Sequence, residues 1–294
     1  MKKIFLIGGI VAASAVTFAG CNKNTGAEEK RIAEYFKANT SAESSQRSIA
    51  GTIVYDGVQG GASKNTDIAI SGEYYVYYDD SAKESRIRST DHVEDKINNT
   101  NTYTETYIVG NDDDAKKIDV YTGTGSSPDN LKYVRNIYDT SDYFQTSTTT
   151  KAGDLLLKEN KEKFNNASCE VVERYMTVKD LDNSVKNYII NATKNLSGVD
   201  INEASAKITY YFNIETKKLE GTVLDLKEGL KAKVNEYNSK SSNTDKIEDF
   251  DVDKFEISNT LVTNQVDRIK ISDEIKSAPV ENESSESESA EKSN

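Results

Sequence analysis

Cys21 is the residue of this sequence whose surroundings most clearly predict a chemical reaction. A cysteine thiolate is a nucleophile that can accept a lipid group. Ala19 and Gly20, the two residues before it, are small, so a peptidase could approach the backbone at this point. Two lysines near the N-terminus precede an uncharged, largely apolar run at 4–19. This layout is typical of an export leader, and the run is shorter than the roughly 20 residues that span a membrane.

The segment Phe18–Cys21 resembles the lipobox of bacterial lipoproteins, although Phe18 stands where leucine is usual. The resemblance implies a signal peptide at 1–20, cleavage before Cys21, and attachment of diacylglycerol and palmitate to that cysteine. Two or more acyl chains hold a protein stably on a membrane. We therefore expect a lipid-anchored protein on the extracytoplasmic face of the cell membrane, with 21–26 as a polar tether. An ordinary secretory leader with a chance cysteine is the alternative.

The remaining nucleophiles and bases form no recognisable catalytic constellation. If Cys21 carries lipid, Cys169 has no partner for an intramolecular disulfide. Its apolar strand pattern predicts a buried structural thiol, with a reactive thiol as the alternative. His92, the only histidine, lies among polar residues, which argues against a histidine-rich zinc site and against Ser-His-Asp or Cys-His catalysis. We predict no enzyme, no metal site and no cofactor, and the ligand-binding residues stay unknown.

Acidic, glycine-rich and tyrosine-rich segments have plain structural interpretations. Asn111–Asp114 lacks the glycine and the distant glutamate of an EF-hand calcium loop, so we interpret it as an acidic hairpin turn. Gly57–Gly61 is too polar and wrongly placed for a phosphate loop. The tyrosines within 74–78 are expected to pack in a core, although they could line a ligand groove or stack on sugars. We interpret a second acidic cluster as the solvent-exposed start of a strand, with weak divalent-ion binding as the alternative. This cluster comprises Asp245, Glu248, Asp249, Asp251 and Asp253.

Composition excludes some partners and favours strands. The sequence has 49 acidic and 37 basic residues, a net charge of −12, so nucleic acid and anionic surfaces are not expected to bind electrostatically. Only 36% of the residues are hydrophobic, and there are 17 tyrosines and no tryptophan. Tyrosine, isoleucine and valine favour strands, and amphipathic tyrosines must supply much of the packing.

Hydrophobic periodicity predicts a helix, a long antiparallel meander, further helices and a final hairpin. Alternation predicts strands at 49–55, 67–78, 84–93, 102–109, 118–121, 133–137, 168–177, 206–214, 219–226, 252–262 and 266–271. Helical spacing predicts helices at 27–38, 155–164, 178–196 and 226–237, and Ser/Thr-rich residues predict a loop at 140–151. Glu- and Ser-rich composition predicts a disordered acidic tail.

This order of elements resembles the LolA/LppX-like half-β-barrel superfamily, as found in uncharacterised lipoproteins of low-GC Gram-positive bacteria. The hairpin at 210–226 and the closing segment at 269–275 of a final strand over 266–275 are the most suggestive parts. The resemblance implies an α+β fold in which a large curved antiparallel sheet is covered on one face by two to four helices. It also implies one domain at 27–277, followed by the tail at 278–294.

Two functions fit these expectations. The first is a membrane-anchored, non-enzymatic binding module whose curved sheet holds a lipid or another hydrophobic ligand. The second is a surface interaction or scaffold protein with a solid core that binds a protein or glycan partner. An envelope hydrolase is a third, less favoured possibility, because no base with a matched nucleophile is visible.

Overall fold

The computed structural model describes residues 25–39, 43–82, 84–140, 155–181 and 183–281. Cys21, the predicted leader and most of the predicted 140–151 loop therefore lie outside the described residues. Within them, no helix is both long and apolar enough to cross a membrane.

A single antiparallel sheet of 13 strands dominates the described chain. The strands are β1 Ser45–Gln59, β2 Ala62–Ser63, β3 Thr66–Asp79, β4 Glu84–Asp95, β5 Thr100–Gly110, β6 Lys117–Gly125, β7 Lys132–Asp139, β8 Leu155–Leu157, β9 Glu162–Phe164, β10 Ala167–Thr177, β11 Ser205–Asn213, β12 Leu219–Asp225 and β13 Ile247–Thr263. The helices are α1 Gly26–Ala38, α2 Asn183–Ala192, α3 Lys227–Lys240 and α4 Asp273–Lys276. The fold is the predicted α+β class, an open, curved half-barrel.

The strand order explains how the two halves of the chain join. It runs β7-β6-β5-β4-β3-β1-β13-β12-β11-β10-β8, with β2 beside β1 and β9 beside β10. Strands β3–β7 form an N-terminal half and β8–β13 a C-terminal half, and the long pairing of β1 with β13 connects them. The sheet therefore ends in two edges, β7 and β8, instead of closing on itself.

Two predictions of secondary structure are wrong, and a third is correct only in part. The segment 155–164, predicted to be helical, forms β8 and β9, both of which pair with β10. The helix predicted over 178–196 is α-helical only over α2 and is preceded by a 3-10 turn at Val178–Asp180. The strand predicted at 266–271 pairs with no other described strand. Short strands gain their stability from their neighbours, so local periodicity misassigned the first segment.

Helices α1, α2 and α3 cover one face of the C-terminal half, here called the helix face. Their apolar stripes supply Ile32 and Phe36 from α1, Ile189 from α2, and Leu230 and Val234 from α3, all at most 4% exposed. These side chains share one core with the inward residues of β1 and β10–β13. Burial of this continuous apolar surface is the main force that holds the helices on the sheet.

A strap, residues 265–281, covers the opposite face of the N-terminal half. Ile269, Ile271 and Ile275 pack there against Tyr107 and Tyr121. Cross-strand register places these tyrosines on the face away from the helices. After the strap isoleucines, the chain forms two backbone hydrogen bonds with Arg135 of β7. The Pro279 carbonyl accepts from the Arg135 amide, and the Glu281 amide donates to the Arg135 carbonyl. These contacts place residues 279–281 along the edge strand β7, which they partly cover.

Candidate ligand-binding face

An aliphatic row crosses four strands on the helix face of the N-terminal half. Val76 of β3 lies opposite Ile87 of β4, Ile87 opposite Ile108 of β5, and Ile108 opposite Val120 of β6. Directly opposed residues of an antiparallel pair point to the same face. At roughly 4.8 Å between strands, the row is about 14 Å long, which is the length scale of an acyl chain.

The rows beside the aliphatic row consist largely of small residues with tyrosines at the margins. Ser89, Thr106 and Thr122 follow one another on one side. Tyr74 and Tyr78 lie on the same face of β3, at either side of Val76. Small side chains next to branched aliphatic ones form a shallow trough, and tyrosines at its margins are suited to amphipathic contacts.

Three of the four residues of the aliphatic row are buried, and the row belongs to neither large cluster of described residues. Val76 is 6%, Ile87 2% and Val120 5% exposed, while the helix-covered core and the strap cluster are built from other side chains. The helices therefore cover the C-terminal half and the strap covers the opposite face. The trough is thus an apolar surface on the helix face that lies outside both clusters.

A buried polar row lies under the helices at the junction of the two halves. Arg47 of β1 donates through Nη1 to Oδ1 of Asn259 at 3.3 Å and through Nη2 to the Leu219 carbonyl at 3.1 Å. Both partners are neutral, and among the described residues no carboxylate lies within ion-pair distance of this guanidinium. Burial lowers the pKa of Arg47 to about 10, because removal from water disfavours the charged form.

The same polar row continues across the next strands. Asn259 lies opposite Thr222, and Thr222 opposite Tyr210. The hydroxyl of Thr222 is fully buried and has no hydrogen-bond partner among the described residues. Tyr210 lies within hydrogen-bonding reach of Arg174, which is 8% exposed and whose Nε has no partner among the described residues. Buried polar groups are normally satisfied, so this row is an exception that needs a physical explanation.

One carboxylate is buried near this row, and it is already paired. Glu170 of β10 forms an ion pair with Arg31 of α1. Its second oxygen, Oε2, is buried and has no hydrogen-bond partner among the residues described. Arg31 therefore balances Glu170, while Arg47 and Arg174 have no acidic partner at ion-pair distance within the described chain.

Cys21 lies outside the described residues, and Cys169 is fully buried. The Cys169 thiol lies 3.9 Å from the Phe164 carbonyl and 3.8 Å from the Ala167 carbonyl. Burial raises the pKa of this thiol to about 11, so it stays protonated near neutral pH. The geometry agrees with a structural thiol.

The other polar candidates are spread over the surface. The ring of His92 stacks on Tyr103 with centroids 4.2 Å apart and shares a 2.8 Å hydrogen bond with Asn101. Asn111 closes the acidic turn, because its Oδ1 accepts from the amides of Asp113 and Asp114. No three acidic, histidine or cysteine residues of the described chain lie close enough to hold a metal ion.

The tyrosines within 74–78 divide between the two faces. Tyr75 and Tyr77 pack under the strap, as core packing predicted. Tyr74 and Tyr78 are half-buried on the helix face, beside the aliphatic row. The sequence pattern indicates this tyrosine segment, but it does not indicate the burial of Arg47, Thr222 and Arg174. Lone polar residues in alternating strands carry no signal of burial, so only the tertiary packing identifies them.

Comparison with known proteins identifies no family. No protein-family model and no curated protein match the chain. Among solved structures, LprF from Mycobacterium bovis is similar over 84% of this chain and 97% of its own, with 9% identity and a TM-score of 0.36. The beta-barrel-like DUF1849 protein from Brucella abortus is similar over 75% and 96%, with 9% identity and a TM-score of 0.24. A DUF1329 family protein from Desulfovibrio piger is similar over 84% and 94%, with 11% identity and a TM-score of 0.19. These values assign no function to the chain.

Proposed function

We propose that this protein is a membrane-anchored, extracytoplasmic lipoprotein that binds a lipid or another hydrophobic ligand without transforming it. The observation that carries this proposal is the aliphatic row from Val76 to Val120. A continuous apolar strip on a curved sheet, bordered by small residues, fits an extended apolar chain. The charge of −12 favours an uncharged body for the ligand over a polyanion.

Placing a large side chain in the trough tests whether the ligand binds at the aliphatic row. In Ile108→Trp, the indole occupies the trough and should abolish co-purification of lipid, measured by native mass spectrometry of the full chain. Val109→Trp is the matched control, since Val109 is the next residue, is also half-buried and points to the opposite face. Equal lipid content in the two variants, both folded by circular dichroism, contradicts this location. Absence of lipid from the unmodified chain contradicts ligand binding itself.

The anchor proposal rests on Cys21 and is independent of the fold. Cys21→Ser should release the protein from the membrane fraction and abolish incorporation of labelled palmitate. Cys169→Ser is the control, because this buried thiol should leave both readouts unchanged. A mass spectrum showing an unmodified Cys21 in the membrane-bound protein contradicts the proposal.

A surface interaction protein with a solid core is the second candidate. The observation that favours it is the burial of Val76, Ile87 and Val120, at 2–6% exposed. A trough that is open to a ligand is expected to expose more of its floor. Capture of an envelope protein or glycan by the full chain, equally strong in Ile108→Trp, supports this alternative over the first.

A further inference from the structure

We infer that the ligand is an amphiphile with an anionic head, and that the head binds at the polar row of Arg47, Thr222 and Arg174. This inference deepens the proposed function and rests on it. Its basis is the unbalanced charge and unmet hydrogen bonding under the helices, which the ligand-binding proposal by itself leaves unexplained.

The charge argument concerns two arginines. Among the described residues, Arg47 donates to an amide oxygen and a carbonyl and is influenced by the charge of Glu220 from beyond ion-pair distance, while Arg174 lies within hydrogen-bonding reach of the Tyr210 hydroxyl. Arg174 is 8% exposed and Arg47 is half-buried, and withdrawing a cation from water is costly unless an anion compensates it. Guanidinium groups bind carboxylate and phosphate through two parallel hydrogen bonds, and no described residue accepts from Nε of Arg174.

The hydrogen-bond argument concerns Thr222. Its hydroxyl is fully buried and has no hydrogen-bond partner in the part of the chain that the structure describes, and it lies in register between Asn259 and Tyr210. Arg47 reaches the row from the Asn259 side and Arg174 from the Tyr210 side. An oxyanion above Thr222 would accept from this hydroxyl and from both guanidinium groups.

The polar row, where we place the anionic head, lies close enough to the aliphatic row for one ligand to reach both. Arg47 lies opposite Tyr74, which is two residues from Val76 on the same face of β3. Both sites therefore share the helix face, separated by β1 and β13, or roughly 10–15 Å at the usual strand spacing. A medium or long acyl chain spans this distance. Arg47 is only partly buried, which leaves an entry for the head.

Titration calorimetry of the full chain with three single-chain probes tests the inference. Dodecanoate and dodecyl phosphate should bind at least about tenfold more tightly than dodecanol, since a hydrogen-bonded charge adds roughly that much. Preference for dodecanoate assigns a fatty acid and preference for the phosphate assigns a phospholipid-like head; either supports the inference. Equal affinity for all three probes overturns the inference and leaves the proposed function intact. Binding of none overturns both.

Variants then locate the head. Arg47→Met, Arg174→Met and Thr222→Val should each weaken binding of the two anions about tenfold and leave dodecanol unchanged. Thr222→Val keeps the shape of the side chain, and replacement of a buried charge by an apolar residue is often tolerated, so folded variants are expected. Lys132→Met is the control, because Lys132 is an exposed cation of β7. Anion affinity that falls in the control as much as in the three variants, or in none of them, overturns the assignment.

Discussion

The hydroxyl of Tyr188 on α2 donates a hydrogen bond to the carboxylate of Asp91 on β4. Through this contact, α2 is joined to the N-terminal half of the sheet. Burial is the largest influence on Asp91 and raises the pKa of its carboxyl above the ordinary 3.8, against the opposing effect of the Tyr188 hydrogen bond. The pKa of Tyr188 is also raised, mainly by burial and next by the charge of Asp91.

This contact predicts how stability depends on pH. A carboxyl whose pKa is raised in the folded state favours folding when it is protonated, and this contribution is lost as the pH rises from about 3.8 through the folded pKa. Asp91→Asn should therefore match the wild type in acid and be more stable at neutral pH. Urea unfolding at several pH values measures the difference. A variant that is less stable at neutral pH would show that the charged carboxylate is stabilising.

Asp119 should be important for the strap side of the sheet. It is 5% exposed and accepts from Nη2 of Arg135 at 3.0 and 2.9 Å and from Nδ2 of Asn111 at 2.8 Å. Asp119→Ala leaves Arg135 partly buried without its partner and should cost about 2–3 kcal/mol of unfolding free energy. Asp113→Ala, at an exposed acid of the neighbouring turn, is the control. Similar unfolding midpoints for both variants would argue against this role.

Gly229 should resist replacement although it lies inside α3. A Cβ atom added there would lie 1.9 Å from the Ser205 carbonyl oxygen, so the helix would have to move off the sheet. Gly229→Ala should destabilise the protein by about 1–2 kcal/mol, because the clash exceeds the helix-propensity gain of about 1 kcal/mol. Gly26→Ala in α1 has open space around its Cβ and should be neutral or slightly stabilising. Thermal unfolding distinguishes the two, and a stabilised Gly229→Ala would refute the close approach.

The strap should stabilise the folded protein through the burial of its isoleucines. Ile271 is 9% exposed against Tyr107 and Tyr121, and its replacement by serine should cost about 2 kcal/mol. Lys270→Ser, at the exposed neighbouring position, should have little effect. Hydrogen exchange should increase at β5 and β6 in Ile271→Ser only. Unchanged exchange in that variant would mean that the strap does not stabilise these strands.

Cys169 should be unreactive in the folded protein. Its thiol is buried and its pKa is raised to about 11 by burial, so little thiolate exists near neutral pH. In Cys21→Ser, where Cys169 is the remaining cysteine, a disulfide reagent should modify the thiol only after denaturant is added. Rapid modification of the native protein would favour the reactive-thiol alternative.

The local sequence determined those helices and strands that depend on nearby residues, either within one helical turn or along one alternating stretch. Helix α1 begins at a capping box between Thr25 and Glu28, and β11 follows its predicted alternation between buried and less buried residues. Glycine is a poor helix former, yet Gly229 lies inside α3 because the helix closely approaches Ser205 there. The leader and Cys21 were likewise identified from local composition, and they stay predictions.

Tertiary structure alone decided which residues meet across strands. Segments 155–157 and 162–164 are strands because they form backbone hydrogen bonds with β10. Residues 266–271 belong to the strap because their isoleucines pack on tyrosines of the sheet. The aliphatic row depends on the register of four strands. The contact of Arg47 with Asn259 joins residues 212 positions apart. Alternation tells which residues of one strand share a face, but the long-range pairing of strands decides which faces and which charges come together.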